Sequence, residues 1–153
     1  MQNNFMDIEM LEDRLRYWQA QLRLQDWQIE MKFDRGFNLA PNVADISLLE
    51  ESRVARIRMM EANDFDPSSI APYDMEQTMV HELLHIHFFP LTRTLGKSIP
   101  EEQAIEAISW ALIALDRKAD EIENHYMKRL YPEACYLLEP YKGVVVNESA
   151  ADD

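Results

Sequence analysis

The feature that most constrains this chain is the run His-Glu-Leu-Leu-His at residues 81–85, which lies in an otherwise apolar segment. Upstream, Asp74 and Gln77 have the spacing of a capping box, which predicts the start of a helix. The helix is predicted to end at Phe89, because Pro90 follows. Residues four apart lie one turn above each other on a helix, so both imidazoles project from one face. The apolar residues around them predict a buried helix, so we expect the histidines to line a cleft.

His81 and His85 are therefore predicted to bind a metal ion, and zinc, one ion per chain, is the expected ion. Two imidazole nitrogens at about 2.0–2.1 Å from one zinc ion are sterically easy at this spacing. Glu82 lies beside the first histidine, where it can act as general base on a zinc-bound water whose pKa falls to about 7. A random window of five residues fits this motif only about once in 10⁴–10⁵. The motif therefore predicts a catalytic zinc site with Glu82 as the catalytic residue.

A catalytic zinc site needs a third protein ligand and an open fourth position. The extended pattern of the metzincins fails here, because Phe88 and Leu91 occupy its glycine and third-histidine positions. The alternative is a glutamate from the next helix. Glu102 and Glu106 are four residues apart and share a face of that helix, so both are candidates.

The remaining sequence predicts one α+β domain over residues 1–146, followed by an acidic, disordered tail at residues 147–153. Apolar spacings of three and four indicate an N-terminal helix, and alternating patterns indicate strands. A second capping signal at Ser98 begins a long helix that stops before Pro132. The predicted elements are a helix over Asp7–Leu24, strands over Trp27–Phe33, Val43–Leu48 and Arg53–Met60, a loop over Asp34–Asn42, and helices over Asp74–Phe89 and Ser98–Tyr131.

Charge and cysteine content exclude several classes of protein. The 28 acidic and 15 basic side chains give a net charge of −13, which repels nucleic-acid phosphates, so no DNA or RNA partner is expected. No segment approaches the roughly 20 apolar residues of a membrane span, and no secretion signal is visible, which predicts a cytoplasmic protein without a membrane partner. The single cysteine, Cys135, excludes a zinc site built from cysteines.

The motif together with the segment Glu106-Ala107-Ile108-Ser109 resembles the gluzincin metallopeptidases, in particular thermolysin-like enzymes. The resemblance implies that Glu106 is the third zinc ligand, that the substrate is a peptide or protein, and that the activity is peptide-bond hydrolysis. Thermolysin-like enzymes keep an aspartate four residues after the ligand, and that position is Trp110 here. This difference keeps Glu102 open as the ligand, with Glu106 behind it.

The wider layout is similar to minimal zincin domains of small bacterial and phage-encoded metallopeptidases. That resemblance implies a small mixed or antiparallel sheet packed on an N-terminal helix, the motif helix and a long ligand-bearing helix. It also implies that Arg53–Met60 is the sheet edge that binds an extended substrate. Gluzincins often keep an oxyanion-stabilising group downstream, for which His125, Tyr126 and Tyr131 are candidates.

A second reading of the same motif is a non-catalytic, zinc-stapled zincin scaffold that acts as an acidic protein-binding or regulatory module. The net charge and small size suit such a module. The retained Glu82, which zinc binding itself does not need, favours the peptidase. His87 lies about 200° round the helix from His85 and is expected to miss the metal.

Overall fold

The computed structural model describes residues 3–92 and 98–130, which form an α+β fold. A three-stranded mixed sheet packs with an N-terminal helix and two longer helices that contact each other. This arrangement confirms the predicted α+β class and the predicted set of strands. The elements are α1 (Ile8–Gln21), β1 (Gln28–Asp34), α2 (Gly36–Leu39), β2 (Ala44–Leu49), β3 (Val54–Met60), α3 (Met75–Thr92) and α4 (Ile99–Leu130).

The three long helices begin at capping residues, of which Asp74 and Ser98 are predicted from the sequence. Asp7 Oδ1 accepts a hydrogen bond from the Met10 N–H at 2.8 Å, and Asp74 Oδ1 accepts one from the Gln77 N–H at 3.1 Å. At the start of α4, the Ser98 hydroxyl oxygen accepts from the backbone N–H of Glu101 at 3.3 Å. Each cap satisfies a backbone donor that the first helical turn leaves without a partner.

Two local predictions were wrong. Helix α3 continues through Pro90 to Thr92, because a proline near a helix end removes only one hydrogen bond and few residues follow it. The predicted loop after β1 contains the short helix α2. There the Asp64 carboxylate accepts from the Gly36 N–H at 2.8 Å and pairs with the Arg35 guanidinium, and these contacts span 28 and 29 residues of sequence. A local sequence pattern cannot reveal such a long-range contact.

The predicted sheet edge is also wrong, because β3 is the central strand. The strand order is β1-β3-β2, with β1 parallel and β2 antiparallel to β3. The inward side chains of β3, Ala55, Ile57 and Met59, are completely buried. Its outward arginines pair with acids on both neighbours, as in the contact of Arg58 with Asp45 of β2. Within the part of the chain that the structure describes, the segment Arg53–Met60 therefore has no free edge, and β1 and β2 are the edge strands.

Helix α3 lies at the centre of the fold and contacts α1, α4 and the sheet strands β2 and β3. Its apolar side chains Met75, Met79, Val80 and Leu83 are completely buried. A helix that is apolar on nearly every side must be covered on every side. The histidine face of α3 is consequently held between packed elements and does not project into open solvent.

A buried network of charges fixes the N-terminal end of α3 to the other two long helices. Glu76, which is 3% exposed, accepts a hydrogen bond from the Trp18 indole at 2.9 Å and pairs with Arg14 of α1. Arg117 of α4 donates to Glu76 at 3.2 Å and to Asp74 at 2.8 Å. Burial alone would lower the pKa of Arg117, but hydrogen bonds to Asp74 and Glu76 raise it above its usual value. The two carboxylates and the two guanidinium groups therefore compensate one another's charge where little water reaches them.

Several predictions fall outside the described residues, among them Tyr131, Cys135 and the tail at 147–153. The division into a domain over residues 1–146 and a tail therefore stays a prediction. Within residues 3–92 and 98–130, no helix is both long enough and apolar enough to span a membrane.

The buried network predicts a large difference between two glutamate substitutions. Glu76→Ala leaves the Arg14 and Trp18 donors without their acceptor, so we expect the free energy of unfolding to fall by about 3 kcal/mol. The control is Glu30→Ala, which removes only the exposed ion pair with Arg56 and should cost less than about 1 kcal/mol. Urea denaturation followed by circular dichroism measures both, and equal losses would contradict the role given to the network.

Candidate metal centre

The two histidines of the motif lie side by side on α3. Their ring centroids are 5.1 Å apart, with His85 buried and His81 half-buried. The opposite side of the helix carries completely buried Val80 and Leu83, which fix the rotation of α3 about its axis. The spacing of four residues thus produces the shared face that the sequence predicts.

Helix α4 brings its first turns to this face. Its buried stripe consists of residues four apart, Glu101, Ile105, Ser109 and Ile113, of which the last three are at most 1% exposed. Side chains one position further along the sequence lie on the flank of that stripe. The packing therefore places the candidate ligand Glu102 at the rim of the histidine face.

Glu102 joins the two histidines in a compact group. Its Oε2 atom lies 3.3 Å from His81 Nε2 and 3.7 Å from His85 Nε2. One potential ligand atom from each of the three residues lies within 4.8 Å of the others, so the group can hold a metal ion. Among the described residues, the structure confirms a candidate metal site on α3 and α4.

The donor set fits a divalent metal ion such as zinc. Two ligands at about 2.0–2.1 Å from a tetrahedral centre are about 3.3 Å apart, which is close to the two distances from Glu102 to the histidines. Two imidazoles and one carboxylate are also the ligands of several catalytic zinc sites that keep a fourth position open.

A second carboxylate lies behind each histidine. Glu106 Oε2 is 3.0 Å from His81 Nδ1, and Glu101 Oε1 is 4.0 Å from His85 Nδ1. When Nδ1 of His81 donates its proton to Glu106, the lone pair of that ring is on Nε2, which lies 3.3 Å from the Glu102 oxygen. A cation held there would also be within reach of His85 Nε2, which lies 3.7 Å from the same oxygen.

Glu106, the third ligand implied by the gluzincin resemblance, contacts the other side of the His81 ring. Its Oε1 accepts a hydrogen bond from the Trp110 indole at 2.8 Å, and its Oε2 accepts one from the Gln77 amide at 3.2 Å. Sequence reasoning gave neither Trp110 nor Gln77 a role at the site. Two spacings could have revealed them, since Gln77 precedes His81 by four residues and Trp110 follows Glu106 by four.

The structure separates His87 and His125 from the group. His87 Nε2 lies 2.9 Å from the Leu22 carbonyl oxygen, which agrees with the expectation that it misses the metal. His125 is exposed and lies about 28 Å along α4 from Glu106, at about 1.5 Å per residue. Glu82 is 6% exposed and lies in the buried part of α3. The side chain of Tyr126 and all of Tyr131 lie outside the described part of the chain.

Comparisons with known protein families, with curated proteins and with solved structures found no match to this chain.

The group of His81, His85 and Glu102 predicts one bound zinc ion per chain. His81→Ala and His85→Ala each remove a ligand, so each should weaken zinc binding by more than the 10–100-fold typical for loss of a ligand's hydrogen-bond partner. His87→Ala is the matched control on the same helix and should bind zinc like the parent. Isothermal titration of the metal-free protein with Zn²⁺ gives both stoichiometry and affinity. Equal affinity for the His81→Ala variant and the parent would contradict the site.

Proposed function

We propose that this chain is a gluzincin-type zinc metallopeptidase with a minimal zincin fold, which hydrolyses peptide bonds in a peptide or protein substrate. The observation that carries the proposal is the convergence of Glu102 Oε2 on the Nε2 atoms of His81 and His85. The two histidines lie on the helix that also carries Glu82, the residue type that this motif uses as general base. Two histidines and one carboxylate leave a fourth position open for chemistry.

Within this proposal Glu102 is the third zinc ligand and Glu106 orients His81. The assignment is supported by the contact of Glu102 with both Nε2 atoms, whereas Glu106 contacts Nδ1 of His81. With Glu102 as the ligand, the chain also has a carboxylate at the position where thermolysin-like enzymes keep an aspartate. Counted from Glu102, the position four residues later is Glu106 and not Trp110.

The bound cation would polarise the scissile carbonyl and lower the pKa of a nearby water molecule. The protein groups then have distinct tasks. The Glu82 carboxylate accepts a proton from the attacking water and returns it to the leaving nitrogen. His81, His85 and Glu102 hold the cation, and Glu106 keeps the His81 ring in its ligating orientation.

The substrate is proposed to bind as an added strand along β2. Of the two edge strands in the described residues, β2 makes the more extensive contact with α3, while β1 packs with α1. An extended peptide can pair with the backbone groups at a sheet edge and so present one carbonyl to a neighbouring site. This places the proposed substrate on a different strand from the one that the sequence indicated.

Glu82→Gln tests the catalytic proposal, because the amide keeps the shape of the side chain but cannot accept the proton. We expect zinc affinity to match that of the parent and cleavage of a broad peptide library to fall at least about 100-fold, the lower range for a general base. Cleavage is measured by mass spectrometry on zinc-loaded protein. Equal cleavage by the variant and the parent would contradict the role of Glu82. If a natural substrate is bound by both proteins and cleaved by neither, the chain is the non-catalytic scaffold.

A pair of alanine variants tests which glutamate is the ligand. Glu102→Ala removes a ligand and should weaken zinc binding more than Glu106→Ala, which removes a hydrogen-bond partner at a cost of about 10–100-fold. Because the two residues lie one turn apart on the same helix, each variant controls for general effects on α4. The reverse order of affinities would assign the third ligand to Glu106.

A further inference from the structure

The carboxylate of Glu106 is held at both oxygens by side chains outside the proposed ligand set. Its Oε1 accepts from the Trp110 indole at 2.8 Å. Its Oε2 accepts from the Gln77 amide at 3.2 Å and faces His81 Nδ1 at 3.0 Å. Three donors from two helices therefore surround one carboxylate, although half of the Glu106 side chain remains exposed.

A buried serine determines the orientation of the Gln77 amide. The Ser109 hydroxyl donates to the Glu106 carbonyl oxygen at 2.9 Å, so its oxygen is free to accept from Gln77 Nε2 at 2.8 Å. The opposite orientation would place the amide oxygen against both the hydroxyl oxygen and the carboxylate. Gln77 is 5% exposed and Ser109 is completely buried, so water does not compete readily for these bonds.

The Trp110 indole adds a second fixed donor, because an indole N–H can donate but cannot accept. The indole lies on α4 one turn beyond Glu106, and Gln77 lies on α3 one turn before His81. The carboxylate is thus held from its own helix and from the motif helix at once. Any rotation that removed Glu106 from His81 would break hydrogen bonds on both helices.

We propose that Trp110 and Gln77 are positioning residues for metal binding, which act on His81 through Glu106. The inference depends on the proposed metal centre. By fixing the carboxylate, the two residues keep the proton of His81 on Nδ1 and the lone pair of Nε2 directed at the metal position. Neither residue belongs to the proposed ligand set, and both lower the cost of ordering the ring when the ion binds.

The direct test is the zinc affinity of Trp110→Phe, which keeps an aromatic ring but removes the donor. We expect about tenfold weaker zinc binding, the lower end of the range for outer partners of metal ligands. The matched control is Trp18→Phe, which removes an indole-to-glutamate hydrogen bond to Glu76, a residue outside the proposed ligand set. That control should lower the thermal stability of the metal-free protein and leave the zinc affinity unchanged.

Gln77→Leu provides a second variant that removes the other donor at similar volume. Both variants should shift the visible absorption of bound Co²⁺, which depends on ligand geometry, whereas Trp18→Phe should leave it as in the parent. If the zinc affinities and Co²⁺ spectra of both variants match those of the parent, the inference is wrong and the proposed function is unaffected. A parent protein that binds no metal would overturn the inference together with the proposed function. Weaker binding in both variants supports the inference even if the parent cleaves no peptide, since affinity is measured without substrate.

Discussion

The packing of α4 against α3 is the constraint on which the candidate site depends. Ile105, Ser109 and Ile113 form a stripe that the contact buries almost completely. With these positions fixed, the helical period fixes the direction of every other side chain on α4. Glu102 is thereby placed beside the Nε2 atoms of the histidines and Glu106 beside Nδ1 of His81. The proposed ligand and the proposed orienting group thus arise from one helix contact.

The first turn of α3 and its histidine face carry acidic groups that are compensated in different ways. At its N-terminal end, Glu76 and Asp74 are compensated by Arg14 and Arg117. At the histidine face, in contrast, the carboxylates of Glu102 and Glu106 face imidazoles. Acceptor atoms that converge on one point are costly unless a proton or a cation lies between them. No arginine faces the His81, His85 and Glu102 group among the contacts described, and its spacing allows a cation there.

The sequence predicted most of what depends on local pattern and little of what depends on long-range contact. The capping residues Asp74 and Ser98 and the spacing of His81 and His85 are local, and the structure agrees with them. The central position of β3 depends on pairing with two distant strands, and the edge position implied by the zincin resemblance does not hold for it. The choice between Glu102 and Glu106 depends on how two helices cross. A helical period alone gives both residues the same face.

The most direct test of the central claim is a crystal structure of the protein grown with zinc, with anomalous data collected on both sides of the zinc absorption edge. The account predicts one anomalous peak per chain, at about 2.0–2.2 Å from His81 Nε2, His85 Nε2 and a Glu102 carboxylate oxygen. It also predicts that Glu106 keeps its contact with His81 Nδ1. A peak bonded to neither histidine, or no peak at full zinc occupancy in solution, would contradict the account.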